Sequence, residues 1–415
     1  MSKSRVRVDQ AWGGMRPLTE VITLDEARAR LAGVVRSIAV RETVTLTEAA
    51  GRVLATEVIA PFDVPGFDRA AMDGYAVRAA DLTTATPNAP VTLQLAGMSR
   101  PGFMPSDVCG PGQCIEIATG APIPTGADAV VMVERTRRET DRIEILESAT
   151  PRQHISPRGH DVAASTIVLT RGSYLTPGRI GLLASLGLAQ VDVLVRPTVA
   201  IVSSGDELLV PGDAPHPGRI YDANRFTLDA VCRAHGASTR LLPPVSDDLP
   251  AWHRALDLAA DADLLVCSGG SSAGERDVLV DVVQARGDVI FHGIAVKPGK
   301  PTLCGRIGSQ LVLGMPGNPT SCLSNAYVLL IPLLRALAGL PPHTPDIRQA
   351  TLTRPVTSPQ NRLQFYQVRL DGDAAVPVFK GSGDITSLAE ADGYIEVPIG
   401  VDRLEAGTTV AVIRY

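Results

Sequence analysis

The stretch Val199-Ala-Ile-Val-Ser-Ser-Gly-Asp-Glu207 decides the fold: an apolar run, Val199 to Val202, breaks abruptly into serine, glycine and acid. A strand that is apolar on both faces belongs inside a parallel sheet rather than on a half-wetted surface. The same grammar returns at Leu264 to Cys267, which runs into Ser268-Gly-Gly-Ser-Ser272, and at Gln310 to Leu313, followed by Met315-Pro-Gly-Asn-Pro319. Helical segments lie between them at Asn224 to His235, Pro250 to Ala260 and Arg276 to Ala285, with Gly236 and Gly287 at helix ends and a last helix from Pro319 to Leu337. From about Pro197 to Leu340 the chain therefore reads as a βαβ series whose sheet is covered on both faces. In such a sheet a ligand lies beyond the carboxyl ends of the strands, where helix N-termini aim their amides. The three loops fall at those ends. Their glycines admit close backbone approach, their serines supply hydroxyls and their prolines hold the shape.

The chain carries 39 basic residues, of which four are lysine: Lys3, Lys297, Lys300 and Lys380. Arginine has replaced lysine almost everywhere, yet Lys297-Pro-Gly-Lys300 keeps two. A compact ammonium is not equivalent to a planar guanidinium at a tight anion site, so this pair joins the strand-end loops as candidate anion holders. Asp206, Glu207, Asp247 and Asp277 sit just past or near apolar elements, where several oxygens could meet a hard divalent cation such as Mg²⁺ bridging phosphates. A Ser-His-Asp hydrolase does not fit, because no well-placed histidine accompanies the strand-end serines. The local reading is a site for an anionic small molecule.

Working outward, 415 residues exceed one core and suggest roughly three domains at about 150 residues each. Net charge −5 gives no general pull toward nucleic acid or an anionic membrane. The polar start, Met1 to Pro17, lacks a signal peptide's apolar core, and Tyr327 to Leu340, interrupted by Arg335, reads as a core helix, so the cytoplasm is expected. The six cysteines show no Cys-x-x-Cys spacing and are read as buried thiols. Leu24 to Ile38 has helical spacing, with Thr23 and Glu26 forming a capping box. Short runs at Val91 to Leu95, Gln113 to Ile117, Ala129 to Glu134 and Arg142 to Leu146 indicate a small β domain. Thr176, Pro177 and Gly187 mark the start and stop of another helix. From Ala350 to Tyr415 the period is two (Tyr366, Val368, Leu370; Ile395, Val397, Ile399; Val410, Val412), as in a small barrel or sandwich.

With these readings in place, Ser203-Ser-Gly-Asp-Glu-Leu208, Ile220-Tyr-Asp-Ala-Asn-Arg225, Ser268-Gly-Gly270, Lys297-Pro-Gly-Lys-Pro301 and Pro316-Gly-Asn-Pro319 resemble the molybdopterin molybdenumtransferase family, which includes bacterial MoeA and the enzymatic region of gephyrin. Asp63-Val-Pro-Gly-Phe-Asp68, Ala71-Met-Asp-Gly-Tyr-Ala76, Ala118-Thr-Gly-Ala-Pro122 and Arg158-Gly-His-Asp161 extend the resemblance over nearly the whole chain. The sequence departs from some members at Gly293, where they carry lysine, and at Gly381-Ser-Gly-Asp384.

The resemblance implies a multidomain α/β plus β fold in an elongated subunit. Its parts are an N-terminal mixed domain at 17–62 and 156–197, an inserted β domain at 63–155, a doubly wound α/β molybdopterin-binding domain at 198–342 and a C-terminal β-barrel at 343–415. It implies a transferase of molybdenum cofactor biosynthesis that takes adenylylated molybdopterin and molybdate as substrates and releases AMP with Mg²⁺. Asp73, Thr119, Asp161, Glu207, Asp247, Asp277 and Lys297 match family positions needed for activity, with Glu207 and Asp277 expected at the metal. Ser204, Gly205, Asp206, Ser268, Gly269, Gly270, Ser271, Lys300, Pro316, Gly317, Asn318, Pro319 and Ser321 are expected to hold the ligand. A homodimer with an inter-subunit active site is implied, with a molybdopterin adenylyltransferase and molybdoenzyme maturation factors as further partners. Two readings compete. The related adenylyltransferase, or another nucleotide pyrophosphatase, is usually little more than the α/β domain, whereas about 195 residues precede it here. A non-catalytic scaffold would be expected to lose site residues that are present.

Overall fold

The computed structural model describes residues 21–269 and 278–415. The chain divides into two units: one holds the residues up to 42, 51–53 and 193–415, the other 43–50 and 54–192.

In the first unit, six strands form a sheet in the order Ser238–Leu241, Thr198–Ser203, Leu264–Ser268, Gln310–Met315, Leu303–Ile307, Asp288–His292. The first four are parallel, and Leu303–Ile307 pairs antiparallel with both Gln310–Met315 and Asp288–His292. Alternation within each apolar run explains why both faces are covered. Val199, Ile201, Leu264, Val266, Leu311 and Leu313 face one core, which receives Leu228 and Cys232 of the helix Asn224–Ala234 and the apolar side of Pro319–Leu337. Ala200, Val202, Leu265, Cys267 and Val312 face the other, with Trp252 of Leu249–Leu258 and Leu279 of Val278–Arg286. The doubly wound parallel sheet was expected; the reversed strand Leu303–Ile307 within it was not.

The helix Pro319–Leu337 is long and apolar enough to cross a membrane, but 72% of its apolar window is buried inside the fold. It is a core helix, as the sequence suggested, with a π-helical turn at Ala326–Leu330. The N-terminal helix covers Leu24–Val34, shorter than expected, and sends Leu24, Ala27 and Leu31 into the same core. Its capping box is only half made. Thr23 Oγ1 accepts the Glu26 amide at 3.2 Å, whereas the Glu26 carboxylate turns to Arg30 at 2.6 Å.

The C-terminal part closes a five-stranded barrel, Leu363–Asp371, Ala374–Pro377, Ile347–Leu352, Thr409–Arg414, Gly393–Val397 and back to Leu363–Asp371. Val368, Ile395, Val397, Val410 and Val412 fill it, while Ile399, expected on the same face, lies past the strand end and is 51% exposed. Leu363–Asp371 has a second partner. It pairs in parallel with Val296–Lys297 of the α/β part, and Leu363 donates to the Ala295 carbonyl at 3.0 Å.

The second unit is built on a sheet ordered Ala129–Met132, Gly74–Val77, Gln113–Ile117, Val91–Ser99, Arg142–Ile145, Thr136–Glu139. The four runs read from the sequence are all strands in it. The helix Pro177–Ser185 follows, capped by Thr176 Oγ1 on the Arg179 amide at 3.4 Å, with Gly187 at φ +73° beyond its end.

Candidate active site

Register sets the site. Ser203 lies beside Ser268, and Ser268 beside Met315, so three strands end level and their loops leave the sheet side by side. The outermost backbone links are Ser204 N–H to the Ser268 carbonyl at 2.8 Å and Gly269 N–H to the Met315 carbonyl at 3.2 Å. Above them opens a cavity of about 930 Å³. That volume suits a nucleotide-sized ligand.

Of the residues singled out from the sequence, Ser204, Glu207, Asp247, Ser268, Gly269, Lys297, Lys300, Pro316, Gly317, Asn318, Pro319 and Ser321 line the cavity. Gly205 and Asp206 do not: the Gly205 amide donates to the Val245 carbonyl at 3.1 Å and Asp206 faces solvent. Gly270, Ser271 and Asp277 lie outside the described residues. The cavity also takes in residues given no role from the sequence: Asn224 at the start of its helix, and Arg362, Phe379 and Ser382 from the barrel. Only the pairing of Leu363–Asp371 with Val296–Lys297 brings Arg362 there. No local pattern signals it.

The turn carrying the two lysines is held from below. The Gly299 carbonyl accepts from Thr302 Oγ1 at 2.9 Å and from the buried Asn325 Nδ2 at 2.8 Å. Lys297 is exposed and makes no ion pair with a described residue. Burial, and then repulsion from Arg362, pulls the Lys300 amine below the ordinary lysine value. Lys297 and Lys300 both line the cavity, so two cations are placed where an anionic group could meet them. Glu207 and Asp247 stand exposed on the wall and also lack ion-pair partners among the described residues. No cluster of three His, Cys, Asp or Glu residues forms a metal site by itself among the described residues. All six cysteines are free and buried, and burial pushes the Cys322 thiol near Ser268 up to about 12, too high for a nucleophile.

Asp73, Thr119 and Asp161 belong to the second unit. Gly74 pairs with Ile117 in antiparallel register, so Asp73, just before one strand, meets Thr119, just after the other, and the Thr119 amide donates to Asp73 Oδ1 at 2.7 Å. A Cβ on Gly74 would lie 1.9 Å from the Val131 carbonyl oxygen, so only glycine lets the chain turn there. Asp73 borders a recess of about 560 Å³ with Tyr75, Arg100 and Glu116. The exposed Asp161 sits in a loop pinned by Asp63, which accepts from the Ala164 amide and from Arg158 at 2.7 and 2.6 Å. Those two bonds, the Ala164 one foremost, hold the Asp63 carboxyl below its usual range.

A doubly wound domain with a cavity at its strand ends, lined in part by barrel residues, defines the class of α/β ligand-binding proteins. Family models described as the MoeA N-terminal region (domain I and II), a probable molybdopterin binding domain and the MoeA C-terminal region (domain IV) match residues 22–187, 200–336 and 349–415. A Mycobacterium tuberculosis protein named molybdopterin molybdenumtransferase 2 is 42% identical over 89% of this chain and 94% of its own length. The Haemophilus influenzae molybdopterin molybdenumtransferase is 35% identical over 94% and 98%. A crystal structure of a molybdopterin biosynthesis MoeA protein from Pyrococcus horikosii superposes with a TM-score of 0.82 at 36% identity, covering 95% of this chain and 99% of that one. The chain belongs to the molybdopterin molybdenumtransferase (MoeA) family.

Proposed function

We propose that this chain is the enzyme that inserts molybdate into adenylylated molybdopterin and releases AMP, a late step of molybdenum cofactor biosynthesis. One observation supports this reading above the others: the cavity above three level strand ends joins loop amides and hydroxyls to Lys297, Lys300 and Arg362. Lys297 and Arg362 hold anionic oxygens of substrate or molybdate, Lys300 donates to the phosphate-bearing end, and the Ser268 to Gly269 backbone gives close contacts. Glu207 and Asp247 offer hard carboxylate oxygens suited to Mg²⁺ and would hold it on the wall, with Asp277 as a third candidate. A bound Mg²⁺ supplies charge neutralisation across the pyrophosphate link.

Asp73 and Thr119 orient metal oxyanion or water at the reacting end, and we assign them to the partner subunit's site in a homodimer. The reaction runs in the cytoplasm, a compartment with which six free, buried cysteines agree. An adenylyltransferase supplies the substrate, and molybdoenzyme maturation factors take the product. Asp73→Asn and Lys297→Ala are each expected to lower cofactor formation at least tenfold, since a charge-assisted hydrogen bond is worth about 1.5–3 kcal/mol. Mixed dimers of the two variants should regain activity. Unchanged single variants would contradict the roles, and inactive mixed dimers would contradict the shared site.

A further inference from the structure

The motif Ile220-Tyr-Asp-Ala-Asn-Arg225 has no part in the proposed chemical step. Its Asn224 is 8% exposed, opens the helix Asn224–Ala234 and borders the cavity. Asn224 Nδ2 donates to Ser268 Oγ at 2.7 Å and to the Gly317 carbonyl at 2.6 Å. A carbonyl oxygen can only accept, so the nitrogen end of the amide must face Gly317 and the side chain has one orientation.

The two acceptors stand on different segments, Ser268 at the end of its strand and Gly317 in the loop after Gln310–Met315. Among the described residues, the last backbone link between the two segments is Gly269 N–H to the Met315 carbonyl, and Asn224 joins them further out. The segments are close there: a Cβ on Gly317 would lie 3.6 Å from the Gly269 Cα. Asn224 is itself fixed to the sheet. The neighbouring Asp222 accepts from Ser203 Oγ at 3.0 Å and from the Arg225 amide at 3.1 Å. Arg225 pairs with the same carboxylate at 3.2 Å and donates to the Leu242 carbonyl at 2.7 Å.

We infer that Asn224 is a positioning residue: its amide sets the gap between the Gly269 and Gly317 loops, and so the spacing of the donors that grip the phosphate-bearing end of the substrate. This rests on the reaction proposed above. An asparagine that merely filled space would tolerate the isosteric Asn224→Asp, but a carboxylate cannot donate to the Gly317 carbonyl and would repel it.

The full-length protein and its Asn224→Asp and Asn224→Ser variants are compared in three measurements: AMP binding by calorimetry, KM and kcat for AMP release from adenylylated molybdopterin with molybdate, and thermal unfolding. In Asn224→Asp, the AMP Kd and the KM are expected to rise at least tenfold, with a smaller change in kcat and a Tm within a few degrees of the unmodified protein. Asn224→Ser, which keeps one short donor, should fall between. Unmodified affinity and KM in Asn224→Asp would overturn the inference. So would a loss confined to kcat, or unfolding of both variants below the assay temperature, which would make Asn224 a stability residue. If the unmodified protein neither binds nor releases AMP, the reaction itself is contradicted; an active protein with indifferent variants contradicts only the positioning role.

Discussion

Gly269 carries much of the site in one missing side chain. Its φ is +90°, and a Cβ there would lie 2.5 Å from the Ser204 carbonyl oxygen, which is backbone and cannot give way. Gly269→Ala is therefore expected to cost about 1–3 kcal/mol through the forced backbone conformation, a Tm loss of several degrees, together with weaker AMP binding. An unchanged melting curve would contradict this. Lys300 makes a second prediction, through pH. Its amine titrates below the ordinary lysine value, from burial first and then Arg362. The empty fold disfavours the charge, so stability rises with pH between that lowered value and the unfolded one. A bound anion favours the charge, so AMP affinity should fall as pH rises through the lowered value, before an ordinary lysine titrates. Lys300→Arg, charged throughout, should flatten the profile measured by calorimetry; an identical profile would exclude Lys300 from the anion site. The cavity positions of Ser204, Ser268, Gly269, Lys297 and Lys300 were legible in sequence because strand-end chemistry is local, whereas Gly205 was turned away by its bond to Val245. Asn224 and Arg362 were not legible, because long-range hydrogen bonds and strand pairing give them their place.

The helix Pro319–Leu337 connects core to site. One side is apolar and fills the core, while the buried Asn325 reaches the Gly299 carbonyl and Thr302 Oγ1 beneath the lysine turn, at 2.8 and 2.7 Å. Removing that amide leaves a buried carbonyl with one donor fewer, which costs about 1–3 kcal/mol. Asn325→Ala should lower stability by that amount in urea unfolding and loosen Lys297-Pro-Gly-Lys300 enough to weaken AMP binding. Full stability in the variant would show the contact to be dispensable. Thr198–Ser203, Leu264–Ser268 and Gln310–Met315 were readable because burial on both faces leaves an uninterrupted apolar run, whereas the half-exposed edge strand Ser238–Leu241 carries none. Leu303–Ile307 escaped because Gly305 and Arg306 break its run; a Cβ on Gly305 would lie 2.5 Å from a Val283 methyl, so packing against Val278–Arg286 dictates the break. At Thr23 the cap was right, but an i,i+4 arginine outcompeted the backbone for Glu26.

At the scale of the molecule, the cavity is lined by both the α/β domain and the barrel, and only the folded chain reveals that division. Arg362→Ala should weaken AMP binding at least tenfold while leaving Tm within about a degree, since the side chain pairs with no described acid. Equal affinity would remove the barrel from the site. Sequence period alone could offer barrel or sandwich; the pairing that returns to Leu363–Asp371 makes it a barrel. The family resemblance reached the second unit's Asp73 and Thr119, whose adjacency follows from strand register rather than from spacing along the chain. The central claim is that this cavity spends the energy of an adenylylated pterin to load a metal oxyanion. The purified protein, incubated with adenylylated molybdopterin, Mg²⁺ and molybdate or tungstate, should release AMP together with active cofactor in a manner dependent on Lys297; no AMP with either oxyanion would contradict the account.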